Sequence, residues 1–295
     1  IGERIRASWD ADELSLYGRF DFILAKDGTP KILEFNADTP TSLLEASVIQ
    51  WQWKEDVFPE CDQFNGIHEG LVQSWKDIFP KKGEIYFAGA LENNEDTGTL
   101  QYLASTAMEA GFSTRVLDMQ ALDLQNGRFF DPAGELVNRC FKLYPWEWMV
   151  DESPDGCLAE MEWLEPIWKL VMSNKAILAT LYELFPDSPY VLPCYLSRPR
   201  SGLFCKKPVF SREGHNVSVV DIRNWEEHVR IAETEGDYNT GAYVYQEYVE
   251  PTVYSGRYPV IGSWIIGGEA VGIGIRENRM EVTDNLSEFV PHIIG

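Results

Sequence analysis

Residues 18–37 alternate between polar and apolar side chains on either side of an Asp27-Gly28 dipeptide. Asp-Gly between two alternating runs is a strong signal for a two-residue turn in a β-hairpin. If these two residues form the loop, Lys26 pairs with Thr29. The turn then predicts every opposed pair along the two strands.

The predicted register places four polar side chains on one face of the hairpin. Side chains alternate faces along a strand, and opposed residues stand about 4.5–5.5 Å apart at Cβ. We therefore expect Asp21 opposite Glu34, with Arg19 opposite Asn36 on the same face. The other face is uniformly apolar, as expected of a core, and consists of Phe20, Phe22, Leu33 and Phe35.

Two carboxylates and one amide oxygen at this spacing predict a metal site at Asp21, Glu34 and Asn36, because magnesium prefers hard oxygen ligands. Polar residues on the open face of a hairpin are commonly just solvated, and this alternative stays open. However, an Asp opposite a Glu destabilises the hairpin unless a cation or a shared proton intervenes. Arg19 either binds phosphate and stabilises charge developing during transfer, or it neutralises the same carboxylates.

A helix is predicted directly after the hairpin, over about residues 41–53. Thr39 can act as its N-cap with Pro40 at the first helical position, or Ser42 can cap it together with Glu45. In either case the N-terminus of the helix faces back toward the hairpin. Such an end binds anions, so it is a candidate site for a carboxylate or phosphate, unless the helix is simply well capped.

The rest of the chain alternates between helical and extended patterns. A strand, a helix ending at Gly111 and a second strand predict a βαβ unit over residues 84–119, and Pro132-Ala133-Gly134 predicts the turn of a second hairpin. Residues 158–185 have helical periodicity, and residues 194–275 are rich in strands. Strands and helices mix throughout, so the predicted class is α/β or α+β.

Two lysines and a strand are candidates for a nucleotide site. Lys175 stands at the head of a predicted helix, and Lys207 lies in a predicted strand followed by the loop 211–216. A strand lysine before a flexible turn can hold phosphates, although most strand lysines lie on edges or surfaces. Gln246 and Tyr248 belong to a strand that either offers contacts to an adenine ring or is an ordinary strand.

Acidic residues precede the helix at 99–111, namely Glu92, Glu95 and Asp96. They either complement the helix dipole or form a site for an ammonium group. Arg276 follows a Gly-x-Gly strand that is too short for a dinucleotide fingerprint, so a Rossmann fold is rejected.

The net charge of −22, from 47 acidic against 25 basic residues, repels a nucleic-acid backbone. The sequence has no uninterrupted run of 18 apolar residues, so no membrane-spanning helix is predicted. The segment after Ile1 has no apolar core of a signal peptide, and we expect the natural chain to begin further upstream. Five cysteines without a paired spacing predict neither a disulfide framework nor a zinc site, and favour a cytoplasmic location.

Several of these stretches together resemble a known family. They are YGRFDF, ILEFNADTPTSLLEA, SNKAIL, KKPVFSREGHNV, YQEYV and the C-terminal GSWIIGGEAVGIGIREN and VTDNLSEFVPH. In combination, over nearly the whole chain, they are similar to the synthetase domain of glutathionylspermidine synthase and its single-domain relatives. The resemblance implies an ATP-grasp fold in permuted order, with metal ligands before the nucleotide lysines, and a pre-ATP-grasp-like βαβ substrate subdomain.

The resemblance also implies roles for individual residues. Arg19 resembles the transition-state arginine of the family. Asp21, Glu34 and Asn36 resemble its magnesium ligands. The nucleotide contacts implied are Lys175, Lys207, Gly214, Gln246 and Tyr248. The peptide and amine substrate region implied consists of Thr39, Thr41, Glu95, Asp96 and Arg276.

Some positions depart from the family pattern. Ser211 stands where the loop often has its first glycine, which puts the mobility of that loop in doubt, and Thr39 and Thr41 stand where well-known members tend to have serines. Bifunctional members also have an N-terminal cysteine–histidine amidase, for which this chain has no counterpart, so no hydrolytic activity is expected.

The expected function is an ATP- and Mg²⁺-dependent ligase that joins a peptide-like acid to a polyamine-like amine through an acyl phosphate. A catalytically silent ATP-binding scaffold and a plain kinase of a small acid are the alternatives. The expected partners are these small molecules, without nucleic acid or membrane. Within one ligase over 1–295 we expect four subregions: the hairpin and helix at 1–60, the substrate subdomain at 80–150, the nucleotide lid at 160–250 and a return to the central sheet at 251–295.

Overall fold

The structure is a computed structural model, and it describes residues 1–212, 214–231, 234, 236, 241–282 and 287–295. Glu213 of the predicted loop and residues 283–286 of the C-terminal motif lie outside the described residues. Strands and helices alternate along the chain, as predicted, and form a mixed α/β architecture with several sheets.

The strands follow in chain order as β1 Tyr17–Leu24, β2 Pro30–Asn36, β3 Glu84–Gly89, β4 Ser113–Asp118, β5 Asp123–Gln125, β6 Arg128–Phe130, β7 Leu136–Val137, β8 Arg139–Leu143, β9 Glu162–Leu164, β10 Cys194–Tyr195, β11 Gly202–Pro208, β12 Ser218–Arg223, β13 Glu226–Ile231, β14 Tyr243–Glu247, β15 Tyr258–Ile266, β16 Glu269–Asn278 and β17 Glu288–Val290. The α-helices are α1 Gly2–Asp10, α2 Gln50–Val57, α3 Ile67–Ile78, α4 Asn94–Glu109, α5 Trp146–Glu152, α6 Lys169–Met172 and α7 Ile177–Leu184.

These strands form three larger sheets and one small one. The hairpin sheet has the order β17-β16-β15-β1-β2, and the lysine sheet has the order β10-β14-β11-β12-β13. Both are antiparallel. The parallel sheet has the order β4-β3-β8-β9, and its β3-α4-β4 unit is the predicted βαβ unit. Strands β5, β6 and β7 form the small sheet, and its β6–β7 pair is the predicted second hairpin.

The first hairpin has the predicted pairs near its base but a different turn. Arg19 opposes Asn36 and Asp21 opposes Glu34, whereas the loop has three residues, with Ala25 instead of Lys26 pairing with Thr29. Gly28 ends that loop at φ +82°, a conformation that favours glycine. A β-bulge restores the register.

The bulge inserts one extra residue, Leu33, between the pair Asp21–Glu34 and the pair Phe22–Ile32. Leu33 therefore lines the same cleft as Asp21, and its predicted place on the apolar face is wrong. The other three residues of that face are half-buried, and the rings of Phe20 and Phe35 stack 4.0 Å apart. The face is thus only a partial core.

The main core lies between the hairpin sheet and the parallel sheet. The helix α3 turns its apolar stripe inward, and Trp75 of that stripe packs edge-on against Phe87 at 5.5 Å between ring centroids. Its indole N–H donates to Thr106 of α4 at 2.9 Å, so the buried polar atom is satisfied. The fully buried Tyr17 and Trp264 add the hairpin sheet to this core, which fixes the hairpin relative to the parallel sheet.

Three helix predictions need correction. The helix after the hairpin begins at residue 43, contains a π-helical turn at Glu45–Ile49 and runs on to Val57, and neither predicted cap residue accepts a capping hydrogen bond among the described residues. The helix predicted at 99–111 begins five residues earlier, because the Asn93 side chain caps it. Residues 158–185 divide into β9, α6 and α7 instead of one helical run.

In the part of the chain that the structure describes, no helix has the length and apolar character needed to cross a bilayer.

Candidate active site

The hairpin brings the four predicted polar side chains together at one place. The Arg19 guanidinium binds Asp21 at two points, Nε to Oδ1 at 2.6 Å and Nη2 to Oδ2 at 2.9 Å. The Asn36 amide nitrogen lies 3.2 Å from Asp21 Oδ2 and 3.4 Å from Glu34 Oε1. The predicted convergence of these side chains is therefore present in the structure.

Arg19 is almost completely buried, and its surroundings explain its conformation. Gly262 on the neighbouring strand leaves space for it, because a Cβ there would stand 2.7 Å from Arg19 Cδ. The guanidinium lies 5.7 Å from the Trp264 ring centroid and donates to the Thr41 carbonyl. Burial on its own would lower the pKa of Arg19, but the Asp21 carboxylate outweighs it and raises that pKa.

Glu34 is held as a carboxylate by two lysines. Lys175 Nζ lies 3.0 Å from Glu34 Oε2 and donates to the Ser211 carbonyl at 2.6 Å. Burial would raise the pKa of Glu34, but the ammonium groups of Lys175 and Lys207 reverse this and lower it to about 2. The charged form is therefore present at neutral pH.

The donor set of Asp21, Glu34 and Asn36 fits a magnesium ion chemically. Two carboxylates and one amide meet within hydrogen-bond distance, and a rotation of the amide presents its oxygen in place of its nitrogen. Among the described residues, no group of three or more His, Cys, Asp and Glu side chains could hold a metal ion. A metal at this place would thus need the Asn36 amide as its third ligand.

Lys207 and Gln246 join the lysine sheet to the hairpin. Lys207 Nζ donates to Gln246 Oε1 at 2.7 Å and to the Leu33 carbonyl at 3.1 Å, while the Gln246 amide donates to the Ile32 carbonyl at 2.8 Å. The carbonyls they bind belong to the inserted residue of the β2 bulge, Leu33, and to its neighbour Ile32. Tyr248 follows just after β14, and its hydroxyl donates to Glu281. The bulge therefore both restores the register and anchors the second sheet.

Arg276 lies on β16 beside the hairpin carboxylates. Its Nη2 donates to Asp21 Oδ2 at 2.8 Å, so Asp21 contacts two arginines. Burial lowers the pKa of Arg276, and the neighbouring Arg19 lowers it further. The structure thus places Arg276 with the hairpin set and apart from Glu95 and Asp96.

A cleft lies between the hairpin sheet and the lysine sheet, with an empty volume of about 1190 Å³ that includes the solvent-filled opening. One end is lined by Arg19, Asp21, Glu34, Asn36, Lys175, Lys207 and Arg276. Gly214, at φ +70°, lines it from the loop after β11. The remaining lining is mixed, with the apolar side chains Ile23, Leu192, Val217 and Val260, the polar Gln246 and Tyr248, and the acidic Glu247 and Glu281. A cluster of charged groups next to a lining that includes apolar side chains matches the two chemical halves of a nucleotide.

A second cavity of about 770 Å³ adjoins the cleft on the side of the parallel sheet. Glu95 and Asp96 lie in the first turn of α4 and line it, as do Tyr144 and Trp148, whose rings are 5.4 Å apart. Thr39, Thr41 and Arg212 line both the cavity and the cleft. The predicted substrate threonines and acids therefore share one cavity, which opens toward the charged end of the cleft.

Arg212 belongs to this junction but was not among the predicted site residues. Its Nη2 lies 2.6 Å from Glu147 Oε1, and its Nη1 donates to the Thr39 hydroxyl. Thr39 is thus a hydrogen-bond acceptor for an arginine and not the predicted helix cap. The position of Arg212 five residues after Lys207, in a loop expected to cover phosphates, was the available signal.

Two buried ion pairs fix the base of the hairpin. Lys142 Nζ lies 2.7 Å from Asp38 Oδ1, and the other Asp38 oxygen accepts from the Trp146 N–H at 2.8 Å. Burial lowers the pKa of Lys142, and the Asp38 carboxylate partly offsets this. Behind them, Lys169 pairs with Glu165 at 3.0 Å and donates to the Tyr17 and Ala37 carbonyls at the base of the hairpin. Charges inside the core therefore position the hairpin against α5.

Known proteins resemble the chain in sequence over most of its length. The Haemophilus influenzae protein "Putative acid–amine ligase" is 39% identical over 303 residues, covering 98% of this chain and 77% of that protein. Trypanothione synthetase of Crithidia fasciculata is 28% identical over 97% of this chain and 48% of its own length. The bifunctional glutathionylspermidine synthetase/amidase of Escherichia coli is 26% identical over 99% of this chain and 51% of its own length. The chain thus spans about half the length of the last two proteins.

Solved structures share the fold at low sequence identity. A "Putative gamma-glutamylcysteine synthetase" from Methylobacillus flagellatus KT superposes with a TM-score of 0.65 at 10% identity, over 99% of this chain and 83% of that chain. A glutathione synthetase-like effector of Globodera pallida in its apo form superposes with a TM-score of 0.60 at 12% identity, over 99% of this chain and 84% of that chain. The sequence profile of one family matches residues 1–295, the whole chain. The chain therefore belongs to the glutathionylspermidine synthase preATP-grasp family.

Proposed function

We propose that the chain is an ATP-dependent carboxylate–amine ligase. The observation on which this depends is the convergence of Arg19, Asp21, Glu34 and Asn36 at the charged end of a two-sheet cleft. The adjoining acid-lined cavity offers space for the acid and the amine next to this end of the cleft. The names of the relatives, "Putative acid–amine ligase", trypanothione synthetase and glutathionylspermidine synthetase/amidase, support the same reaction class.

In this proposal the fold is an ATP-grasp fold in permuted order. The hairpin sheet and the lysine sheet enclose the nucleotide between them, and the hairpin carboxylates precede the lysines in the chain. The four subregions take the roles expected from the sequence: 1–60 for metal and phosphate, 80–150 for substrate, 160–250 for nucleotide and 251–295 for the return to the hairpin sheet. The protein would work in the cytoplasm on small molecules, without nucleic acid or membrane.

The nucleotide contacts follow from the geometry of the cleft. Lys175 and Lys207 would bind the triphosphate, with Gly214 above it, while Gln246 and Tyr248 would line the adenine end. Asp21, Glu34 and Asn36 would hold Mg²⁺, which supplies neutralisation of the phosphate charge. The ion pairs now made by the two carboxylates would then be exchanged for metal and phosphate contacts.

The chemical steps balance as one ATP for one amide. The substrate carboxylate attacks the γ-phosphorus, the bond to ADP breaks, and an acyl phosphate forms. The amine nitrogen then attacks the acyl carbon, phosphate leaves, and the ammonium proton passes to solvent. Arg19, with Arg276 beside it, would stabilise the negative charge on the transferring group, since a buried guanidinium needs no reorganisation at that moment.

The two substrates would meet in the second cavity. The hydroxyls of Thr39 and Thr41 lie at its junction with the cleft and suit a peptide-like acid, whose carboxylate must reach the phosphates. Glu95 and Asp96, which line this cavity together with the rings of Tyr144 and Trp148, suit a polyamine-like cation, because carboxylates and aromatic faces both attract ammonium groups. Glutathione-like and spermidine-like compounds are the first candidates.

The test is a condensation screen with ATP, Mg²⁺, short peptides and polyamines, read by mass spectrometry and ADP release. The expected product has the mass of acid plus amine minus water, with one ADP for each amide. A phosphorylated acid without amide would replace the proposal by a kinase. Nucleotide binding without ADP release above a protein-free blank would replace it by a silent ATP-binding scaffold.

A further inference from the structure

Arg212 and Thr39 stand where three spaces of the molecule meet. Both line the nucleotide cleft, the acid-lined cavity and a small polar cavity beneath the hairpin. A phosphoryl group that passes from nucleotide to acid must cross this junction. The orientation of the Arg212 guanidinium therefore matters for the reaction, although its backbone belongs to a loop and not to a strand or helix.

Glu147 fixes that orientation. Its Oε1 accepts from Arg212 Nε at 3.2 Å and from Nη2 at 2.6 Å, which leaves Nη1 directed at the Thr39 hydroxyl. Two N–H groups on one carboxylate oxygen restrict both the position and the rotation of the guanidinium plane. The pair is largely buried, with 26% of the Arg212 side chain and 15% of the Glu147 side chain exposed, so solvent screens it weakly.

The segment that carries Glu147 is held by buried hydrogen bonds. Glu147 is the second residue of α5. The preceding residue, Trp146, is held by hydrogen bonds of both its backbone and its side chain. Its backbone N–H donates to the buried Asp38 at 2.8 Å, and its indole N–H donates to the Glu165 carbonyl at 3.0 Å. The side chain on the fixed helix thus holds the side chain on the loop.

We propose that Glu147 is a positioning residue that holds Arg212 at the junction between the nucleotide cleft and the acid-lined cavity. It acts through Arg212 and does not touch the reacting atoms. The inference rests on the proposed ligase function for its kinetic consequence, but not for its structural one. Without the Glu147 carboxylate, Arg212 is still present, but its guanidinium can turn away from Thr39.

The kinetic test is a double-mutant cycle with Glu147→Ala, Arg212→Ala and the double variant, measured as amide formation. Glu147→Ala is expected to lower kcat roughly 10- to 100-fold with KM for ATP changed by less than about threefold, since misplacement of a positioned group acts on the transition state. In the Arg212→Ala background, Glu147→Ala should have no further effect. An equal loss in both backgrounds would show that Glu147 acts independently and would overturn the proposal.

The structural test needs no substrate. Trypsin cuts after arginine, and the rate of cleavage after Arg212 is followed by mass spectrometry in the wild type and in Glu147→Ala. We expect cleavage at least about fivefold faster in the variant, because the loop loses the ion pair between Arg212 and Glu147. The matched control is Asp151→Ala, an exposed acid on the same helix, which should leave both kcat and cleavage unchanged.

The two tests separate the possible failures. Equal cleavage after Arg212 in the wild type and in Glu147→Ala would overturn the positioning role, whatever reaction the protein catalyses. A wild-type protein that makes no amide in the condensation screen would refute the ligase, and the cleavage rates would still decide the role of Glu147.

Discussion

Arg19 and Asp21 lie two residues apart on the same strand and form a buried two-point ion pair, with N–O distances of 2.6 and 2.9 Å. Strand residues i and i+2 share a face, but their side chains stand side by side and ordinarily point away from the sheet. Here the arginine lies flat along the strand, and the absent side chain of Gly262 makes that possible. The geometry of the pair thus depends on a glycine on another strand.

Gly262→Ala is predicted to displace Arg19. We expect it to lower the rate of amide formation strongly and the stability of the fold moderately. The added Cβ would stand 2.7 Å from Arg19 Cδ, so the guanidinium must leave its position on Asp21. We expect a loss of stability of about 1–3 kcal/mol, as for overpacked interiors, and a fall of about 100-fold in amide formation. Urea unfolding and turnover measured on the same preparation check both numbers.

The control for this variant is Gly98→Ala on α4, where a Cβ would meet nothing within 4 Å. It should be neutral or more stable by about 0.5–1 kcal/mol, as expected for a helical glycine with open space around the added Cβ. If Gly262→Ala kept full activity, the alignment of Arg19 along its strand would have no part in the reaction.

Glu34→Gln is predicted to abolish amide formation while leaving the protein folded. The substitution keeps the size of the side chain but removes the charge that faces Lys175 and the proposed metal. We expect activity to fall at least about 100-fold, the scale for loss of an electrostatic contact made in the transition state. Glu250→Gln is the control, because its ion pair with Lys26 at the tip of the hairpin is exposed. Full activity in Glu34→Gln would disprove the assigned metal site.

The sequence predicted the polar face of this hairpin correctly, although it gave the wrong turn. The alternation of side chains predicted which residues share a face, and the Asp27-Gly28 pair predicted a reversal. The turn takes three residues instead of two, which alone would shift the register by one. The bulge at Leu33 shifts it back, and a bulge of this kind leaves no turn residue or break in hydropathy to predict it.

The contacts between distant segments could not be predicted. Asp38 and Lys142 are 104 residues apart, and nothing in either local sequence shows that a lysine in a strand is fully buried on a carboxylate. Arg212 and Glu147 are a similar case, 65 residues apart. Periodicity describes one element at a time, whereas these pairs depend on how the parallel sheet, the loop and the hairpin pack against each other.

Lys142→Met is predicted to destabilise the protein strongly, by about 3–5 kcal/mol, because it leaves the Asp38 carboxylate buried without its partner. Adding Asp38→Asn should recover part of this loss. The amide removes the unpaired charge and can still accept from the Trp146 N–H. Urea unfolding of the two single variants and the double variant measures the coupling. A cost below about 1 kcal/mol for Lys142→Met would mean that the pair contributes little to positioning the hairpin.

Asp131 is predicted to give the protein a stability contribution that disappears in acid. One carboxylate oxygen accepts from the N–H groups of Ala133 and Glu135 at 2.9 Å, and the other accepts from Arg115 Nη1 at 3.0 Å and from the Tyr86 hydroxyl at 3.2 Å. These contacts, the Glu135 N–H first among them, lower the pKa of Asp131 below its ordinary 3.8. The folded state therefore releases this proton more readily than the unfolded state.

A depressed pKa in the folded state stabilises the protein above the ordinary pKa and loses that effect as the pH falls below it. Asp131→Asn should therefore be less stable than the wild type at about pH 7, with a difference that narrows as the pH falls through about 4 toward 3. Urea unfolding across this range measures it. Glu135→Gln in the same turn, whose side chain is exposed, changes the net charge equally and is the control for that change. A difference for Asp131→Asn that stays constant down to about pH 3 would mean that its contacts do not favour the charged form.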